Sequence, residues 1–199
     1  LMEIIRTARL LGMPVQARIT SVDQASALLD FGVSALMLPH VSSPEKAEAI
    51  VRAVKYAPLG ERGMTTASRA LNFGERSMND YSRQANGEVA VIIQIEDRAG
   101  LEHIDEILSV PGVDMVATGR NDLSQALGVP GENTHPQVLA AEEMVIERAI
   151  AHGKCPTLLV KNRKRINALR EKGVHCFTVA RDDGILYSSL KETLEAMKE

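Results

Sequence analysis

The sequence predicts an α/β fold, a parallel barrel-type sheet with helices outside, and three observations carry that expectation. First, short apolar segments alternate with amphipathic ones six times along the 199 residues, as parallel strands joined by crossover helices do. Second, acidic and polar residues stand just past the C-terminal ends of the apolar segments, where a parallel barrel builds its active-site mouth. Third, neither a GxGxxG nor a P-loop occurs, which disfavours a doubly wound nucleotide-binding sheet.

The elements follow in order. Met2, Ile5, Ala8 and Leu11 share one helical face, and Gly12 can end that helix. Val15 to Ile19 reads as a strand that carries Arg18. Ser21 can cap a helix whose Ala25, Leu28 and Leu29 face inward before Gly32. Ala35 to Pro39 is the second strand. Ser43 and Pro44 give an N-cap followed by proline at the first helical position, and Ala47, Ile50, Val51 and Val54 supply the buried stripe. Tyr56 to Asn86 is rich in Gly, Arg, Ser, Thr and Asn, and reads as a long functional loop with a short helix at Met78 to Gln84. Alternation then resumes. The expected strands are Val89 to Ile95, Asp114 to Thr118, Thr157 to Val160 and Cys176 to Val179. Between and after them, helices are marked by Leu101, Ile104 and Leu108, by Asp122 to Leu127, by Pro136 to His152 and by Ile166 and Leu169. A final helix follows, with the stripe Leu186, Leu190, Leu194 and Met197. No linker, repeat or composition break divides residues 1–199, so a single partial barrel domain is expected.

Composition narrows the function classes. A net charge of −3 gives no electrostatic case for nucleic acid, and 3% aromatics without Trp give no base-stacking platform. No apolar run reaches the roughly 20 residues of a membrane helix. The first residues form an amphipathic, charged pattern rather than a signal peptide, so a cytoplasmic location is expected. Cys155 and Cys176 each begin a strand and read as buried structural thiols.

Glu96 and Asp122 each follow a buried strand. Two carboxylates meeting at one sheet end can hold a hard divalent cation. The alternative is that Glu96 opens a loop and Asp122 caps the helix of NDLSQAL. Gln94, two residues before Glu96, shares its side of the strand and could orient a substrate oxygen or a metal-bound water, or make an internal polar contact. Arg18 lies in an otherwise apolar strand. It either binds an anionic substrate or pairs with an acidic neighbour. His40 ends up at the same sheet end, as an acid–base or supporting group or as an ordinary loop residue.

The motifs QIED, GLEHIDEIL, GVD and GRNDLSQALGVPG, preceded by MLPHVSSPEKAEAIVRAVKYAPLGERG, resemble the HpcH/HpaI class II pyruvate aldolases over essentially the whole chain. These are metal-dependent 2-keto-3-deoxy sugar-acid and 4-hydroxy-2-oxoacid aldolases. The resemblance implies Glu96 and Asp122 as ligands of Mg²⁺ or Mn²⁺, with Co²⁺ as a further option. It implies that Gln94 and Arg18 contact the substrate, that Arg18 is catalytic, and that the turn at Gly119 and Asn121 receives the pyruvate carboxylate. Arg69, in SRALNFG, would reach a neighbouring subunit's site, so a homo-oligomer, a hexamer by resemblance, is expected. The implied chemistry is formation of a pyruvate enolate at the metal and its addition to an aldehyde, or the reverse cleavage.

Two departures from the family stand out. The resemblance implies a TIM-type (β/α)8 barrel, and family members begin with about two further strand–helix units bearing an Asp and a His for proton transfer, so the first two β/α units are expected to be lacking here. The family also often has proline in the turn before the metal Asp, where this chain reads Gly119, Arg120, Asn121. That added charge is expected to alter substrate choice. Two other readings are a CoA-thioester lyase like the citrate lyase β subunit and a non-catalytic metal or oxoacid binder.

Overall fold

The computed structural model describes residues 1–65 and 75–198. Arg69 lies outside the described residues. The chain forms two compact units, Leu1–Pro156 and Thr157–Glu199.

In the first unit, helix α1 (Met2–Leu10) leads into β1 (Gln16–Arg18), α2 (Ala25–Phe31), β2 (Ala35–Leu38), α3 (Pro44–Val54), α4 (Met78–Glu88) and β3 (Ala90–Ile95). Helices α5 (Arg98–Glu102) and α6 (Ile104–Ser109), strand β4 (Met115–Thr118), and helices α7 (Arg120–Ala126) and α8 (Pro136–Ala151) complete it. Strands β1 to β4 pair in sequence order and all parallel, with Arg18 opposite Met37, Met37 opposite Ile92, and Ile95 opposite Thr118. Val91, Ile92, Ile93 and Ile95 are all fully buried. β3 is therefore covered on both faces, and its sequence is a continuous apolar run rather than an alternation.

Local chemistry sets the helix ends. The Ser43 hydroxyl accepts the Lys46 N–H, and Pro44 opens α3. Ala47, Ile50, Val51 and Val54 then bury one stripe against the sheet. Gly32 takes a left-handed φ of +98° where α2 stops.

The middle of the segment read as a long loop, residues 66–74, lies outside the described residues, and its described ends are anchored by specific bonds. Asn86, in α4, accepts the Tyr56 N–H (2.7 Å) and donates to the Tyr56 carbonyl (2.9 Å). Lys55 is only 2% exposed. Its ammonium donates to the carbonyls of Asn86 and Val89 and to Asp114 Oδ2 at 3.1 Å. The same Asp114 oxygen accepts the Val91 N–H at 2.8 Å. The buried charge is thus fully partnered, as burial requires. These contacts extend α4 to Glu88, beyond the helix expected from the sequence.

In the second unit, β5 (Cys155–Leu159), which crosses the boundary between the units, pairs in parallel with β6 (Cys176–Thr178), Thr157 lying opposite Cys176. Asn162 caps α9 (Arg163–Glu171), and α10 (Asp182–Ala196) follows β6. The stripe Leu186, Leu190, Leu194 and Met197 exists but is exposed. Cys155 and Cys176 begin their strands as expected, yet they are half-buried rather than core thiols.

The expected TIM-type (β/α)8 barrel is corrected. The described residues hold six strands where a closed ring of that kind needs eight, and β1 pairs with β2 alone. The α/β class and the parallel pairing stand; the closed barrel does not. Hydrophobic patterning sets how many strands form. Closure depends on edge pairing, which the pattern does not encode.

Candidate functional site

The site grows from the C-terminal end of β3. Gln94 and Glu96 fall on the same side of the chain by the two-residue period of a strand, while Ile95 between them enters the core. Glu96 is only 2% exposed. Its Oε2 accepts the backbone N–H of His40 at 3.1 Å. His40 has φ +54°, a left-handed conformation unusual for a side chain of this size. The turn after β2 therefore directs that N–H at the carboxylate, and His40 Nδ1 lies 3.4 Å from the same oxygen. The His40 carbonyl accepts from Lys46 Nζ at 2.7 Å, which ties the turn to α3. Ser42 donates to Asp97 Oδ2 at 2.8 Å, and Asp97 Oδ1 caps α5 by accepting the Gly100 N–H at 2.7 Å.

The second carboxylate arrives from β4. Asp122 sits in the first turn of α7, near enough for its charge to act on the Glu96 carboxyl. Burial pushes the Glu96 pKa up, the His40 N–H pulls it back, and the Asp122 charge pushes it up again. Gly119, the residue before α7, packs against Glu96 and Gln94. A Cβ there would lie 2.1 Å from Glu96 Oε1 and 3.0 Å from Gln94 Nε2, so only glycine leaves room for the two side chains. Two carboxylates that meet, one of them buried, fit a hard divalent cation, whose charge offsets their repulsion. Among the described residues no group of three or more His, Cys, Asp or Glu side chains is arranged to hold a metal ion, so the pair would be the protein's whole contribution. Water and substrate oxygens would supply the other positions, as Mg²⁺ commonly accepts.

Arg18 ends β1, and its Nε donates to Gln94 Oε1 at 3.1 Å. The side chain is thereby brought across β2 to the Glu96 strand. The acidic partner required by the alternative reading of Arg18 is not found among the described residues; its partner is a neutral amide. Asn121 Oδ1 accepts from Asn133 at 3.1 Å, and the Asn121 carbonyl accepts the Ser124 hydroxyl at 2.6 Å. As first-turn residues of α7, Arg120 and Asn121 have N–H groups with no intrahelical acceptor. Glu96, Asp122, Gln94, Arg18, Gly119 and Asn121 therefore gather at one end of the sheet of the first unit.

One residue of the cluster is not visible in the motifs. Glu142 of α8, 3% exposed, forms an ion pair with Arg120: Nε donates to Oε1 at 2.8 Å and a second guanidinium nitrogen bonds Oε2. The pairing raises the Arg120 pKa. The charge that the sequence suggested would alter substrate choice therefore already has a partner. A signal for Glu142 did exist: it falls on the buried stripe Val138, Val145, Ile146 and Ala149, four residues from both Val138 and Ile146.

Residues 13–188 match the HpcH/HpaI aldolase/citrate lyase family. A 5-keto-4-deoxy-D-glucarate aldolase of Escherichia coli is 34% identical over 172 residues, which make up 86% of this chain and 66% of the relative. The alignment thus spans just under two thirds of that relative's length. Among solved structures, an HpcH/HpaI aldolase from Desulfitobacterium hafniense superposes with a TM-score of 0.92 at 30% identity, covering 100% of this chain and 77% of that one. The citrate synthase SbnG superposes with a TM-score of 0.90 at 31% identity, covering 99% and 77%.

Proposed function

Because the chain belongs to the HpcH/HpaI aldolase/citrate lyase family, we propose that it serves as a divalent-metal-dependent aldolase. Its reaction forms or cleaves 4-hydroxy-2-oxo acids, with pyruvate and an aldehyde as the other side of the equilibrium. The observation that carries this reading is the placement of buried Glu96, and of Asp122 whose charge acts on it, at one end of the sheet beside the Arg18–Gln94 pair. The name of the Escherichia coli relative points to sugar-acid-derived substrates.

Glu96 and Asp122 are the residues that would hold Mg²⁺ or Mn²⁺. When bound, such a cation supplies Lewis acidity that makes the pyruvate methyl group acidic and steadies the enolate. Arg18, steered by Gln94, presents a permanent positive charge to the oxygen on which negative charge develops. The first-turn N–H groups of α7 offer donors to a substrate carboxylate. Gly119, lacking a Cβ, leaves room for the Glu96 and Gln94 side chains.

The test is release of pyruvate from a 4-hydroxy-2-oxo acid by the full chain, measured with Mg²⁺ or Mn²⁺, with a chelator, and with Glu96→Gln. Metal-dependent release that disappears with chelator and in the variant is expected. Release indifferent to both rejects the reading. Activity on malyl- or citramalyl-CoA but on no pyruvate-derived substrate would instead favour a CoA-thioester lyase.

A further inference from the structure

Glu142 stands behind the turn that bears Asp122, and three hydrogen bonds converge on its carboxylate. The Thr118 hydroxyl donates to Oε1 at 3.2 Å, Arg120 Nε donates to the same oxygen at 2.8 Å, and another Arg120 nitrogen bonds Oε2. Thr118 is the last residue of β4 and Arg120 is the first residue of α7. They flank Gly119, whose missing side chain makes room for Glu96. Thr118 also pairs with Ile95, the residue before Glu96. One buried carboxylate therefore grips both sides of the strand-to-helix turn, at the level where β3 delivers Glu96.

From this we propose that Glu142 is a positioning residue: through Thr118 and Arg120 it fixes the Gly119 turn so that Asp122 meets Glu96. The inference rests on reading Glu96 and Asp122 as the metal pair. α7 is short, running only from Arg120 to Ala126. A helix of two turns has little stability of its own, and its direction must be set by packing or tethering. The clamp supplies that tether from α8, a much longer helix whose Val138, Val145, Ile146 and Ala149 are anchored in the interior. Both partners also need each other. A carboxylate as buried as Glu142 requires a cation, and a guanidinium that donates to both carboxylate oxygens has a fixed orientation. Arg120 is thus committed to the scaffold and is not a free charge for substrate. Supporting groups one step removed from the metal commonly set ligand geometry and affinity in this way.

The experiment uses the full chain and the variants Glu142→Gln, Arg120→Lys, Thr118→Val and Asp122→Asn. Mn²⁺ affinity is measured by electron paramagnetic resonance. Amide hydrogen exchange of residues 119–124 is measured without metal, with the amides of Ile92 and Ile93 as an internal reference for global opening. Glu142→Gln and Arg120→Lys are expected to weaken Mn²⁺ binding about 10- to 100-fold and to speed exchange in the turn, with the reference amides unchanged. Thr118→Val, which removes one of the three bonds, should shift both readouts in the same direction by less. Asp122→Asn should lose Mn²⁺ while its turn exchanges as in the unsubstituted chain.

Turn exchange at the original rate in Glu142→Gln and Arg120→Lys overturns the proposal, whatever happens to Mn²⁺. If the unsubstituted chain binds no Mn²⁺, the metal reading fails by itself and the exchange comparison still decides whether Glu142 holds the turn. If Glu142→Gln does not fold, Arg120→Lys and Thr118→Val make the same comparison.

Discussion

Gly119 is the position at which one added carbon changes the site most. Its Cβ would fall 2.1 Å from Glu96 Oε1, and the neighbours that would have to yield are the proposed metal ligand and Gln94. Gly119→Ala should therefore displace Glu96 and lower turnover about 100-fold, the scale of loss from a misplacement of about 1 Å. Steady-state kinetics on a 4-hydroxy-2-oxo acid would check this, and a variant with unchanged kcat would refute it. Arg18 gives a second residue-scale prediction. A lysine keeps the charge but not the planar fork that binds Gln94 and, in the proposed reaction, would bind the substrate at the same time. Arg18→Lys should slow deuterium exchange into the pyruvate methyl group about 100- to 1,000-fold, the loss typical of removing an oxyanion donor. Because Arg18 is exposed, the melting temperature should stay the same; a large drop would assign Arg18 to folding. Glu96, Asp122, Gln94 and Arg18 were legible in the sequence because each stands at or just past the end of an apolar strand. Their number and spacing did not reveal the left-handed turn at His40, which depends on backbone geometry. Glu142 was hidden for a different reason: its partners are set by how α8 packs, and only its place on an apolar stripe hinted at them.

At the element scale, the lower end of the sheet depends on Lys55. One ammonium ties the end of α3, the last turn of α4 and the starts of β3 and β4 together through Asn86, Val89 and Asp114. Lys55→Met would leave two carbonyls and part of a carboxylate without their donor. Removing one member of a buried pair costs about 3–5 kcal/mol, and the low end, about 3 kcal/mol, is expected here, because Asp114 is 41% exposed at its side chain. Urea unfolding should show that loss as a lower midpoint with an unchanged slope. A loss below about 1 kcal/mol would mean that water or rearranged neighbours replace the ammonium easily. The same contacts explain why the sequence showed the strands well and this region poorly. β1 to β4 are written in local apolar runs. The course of residues 55–65 and the length of α4 are fixed by Asn86, Lys55 and the Arg62–Asp30 pair at 2.7 Å, all of which join residues about 30 or more apart in the chain.

For the whole molecule, strand count and parallel order were readable from alternation, whereas closure was not. An apolar strand pattern is the same whether its outer edge is paired or open, and β1 pairs with β2 alone among the described residues. No helix among the described residues is long and apolar enough to cross a membrane. Metal binding should register in global stability, since a ligand held only by the folded chain stabilises it by mass action. Mn²⁺ at about 100 times its dissociation constant should add about 2.7 kcal/mol, seen as a higher melting temperature that a chelator reverses. The most direct test of the central claim, that Glu96 and Asp122 form one divalent-cation site, is a Mn²⁺ titration of the full chain beside Glu96→Gln and Asp122→Asn. The structure predicts one Mn²⁺ per unsubstituted chain, and binding lost in both variants while their circular dichroism stays native. Mn²⁺ bound equally well by folded Glu96→Gln and Asp122→Asn would contradict it.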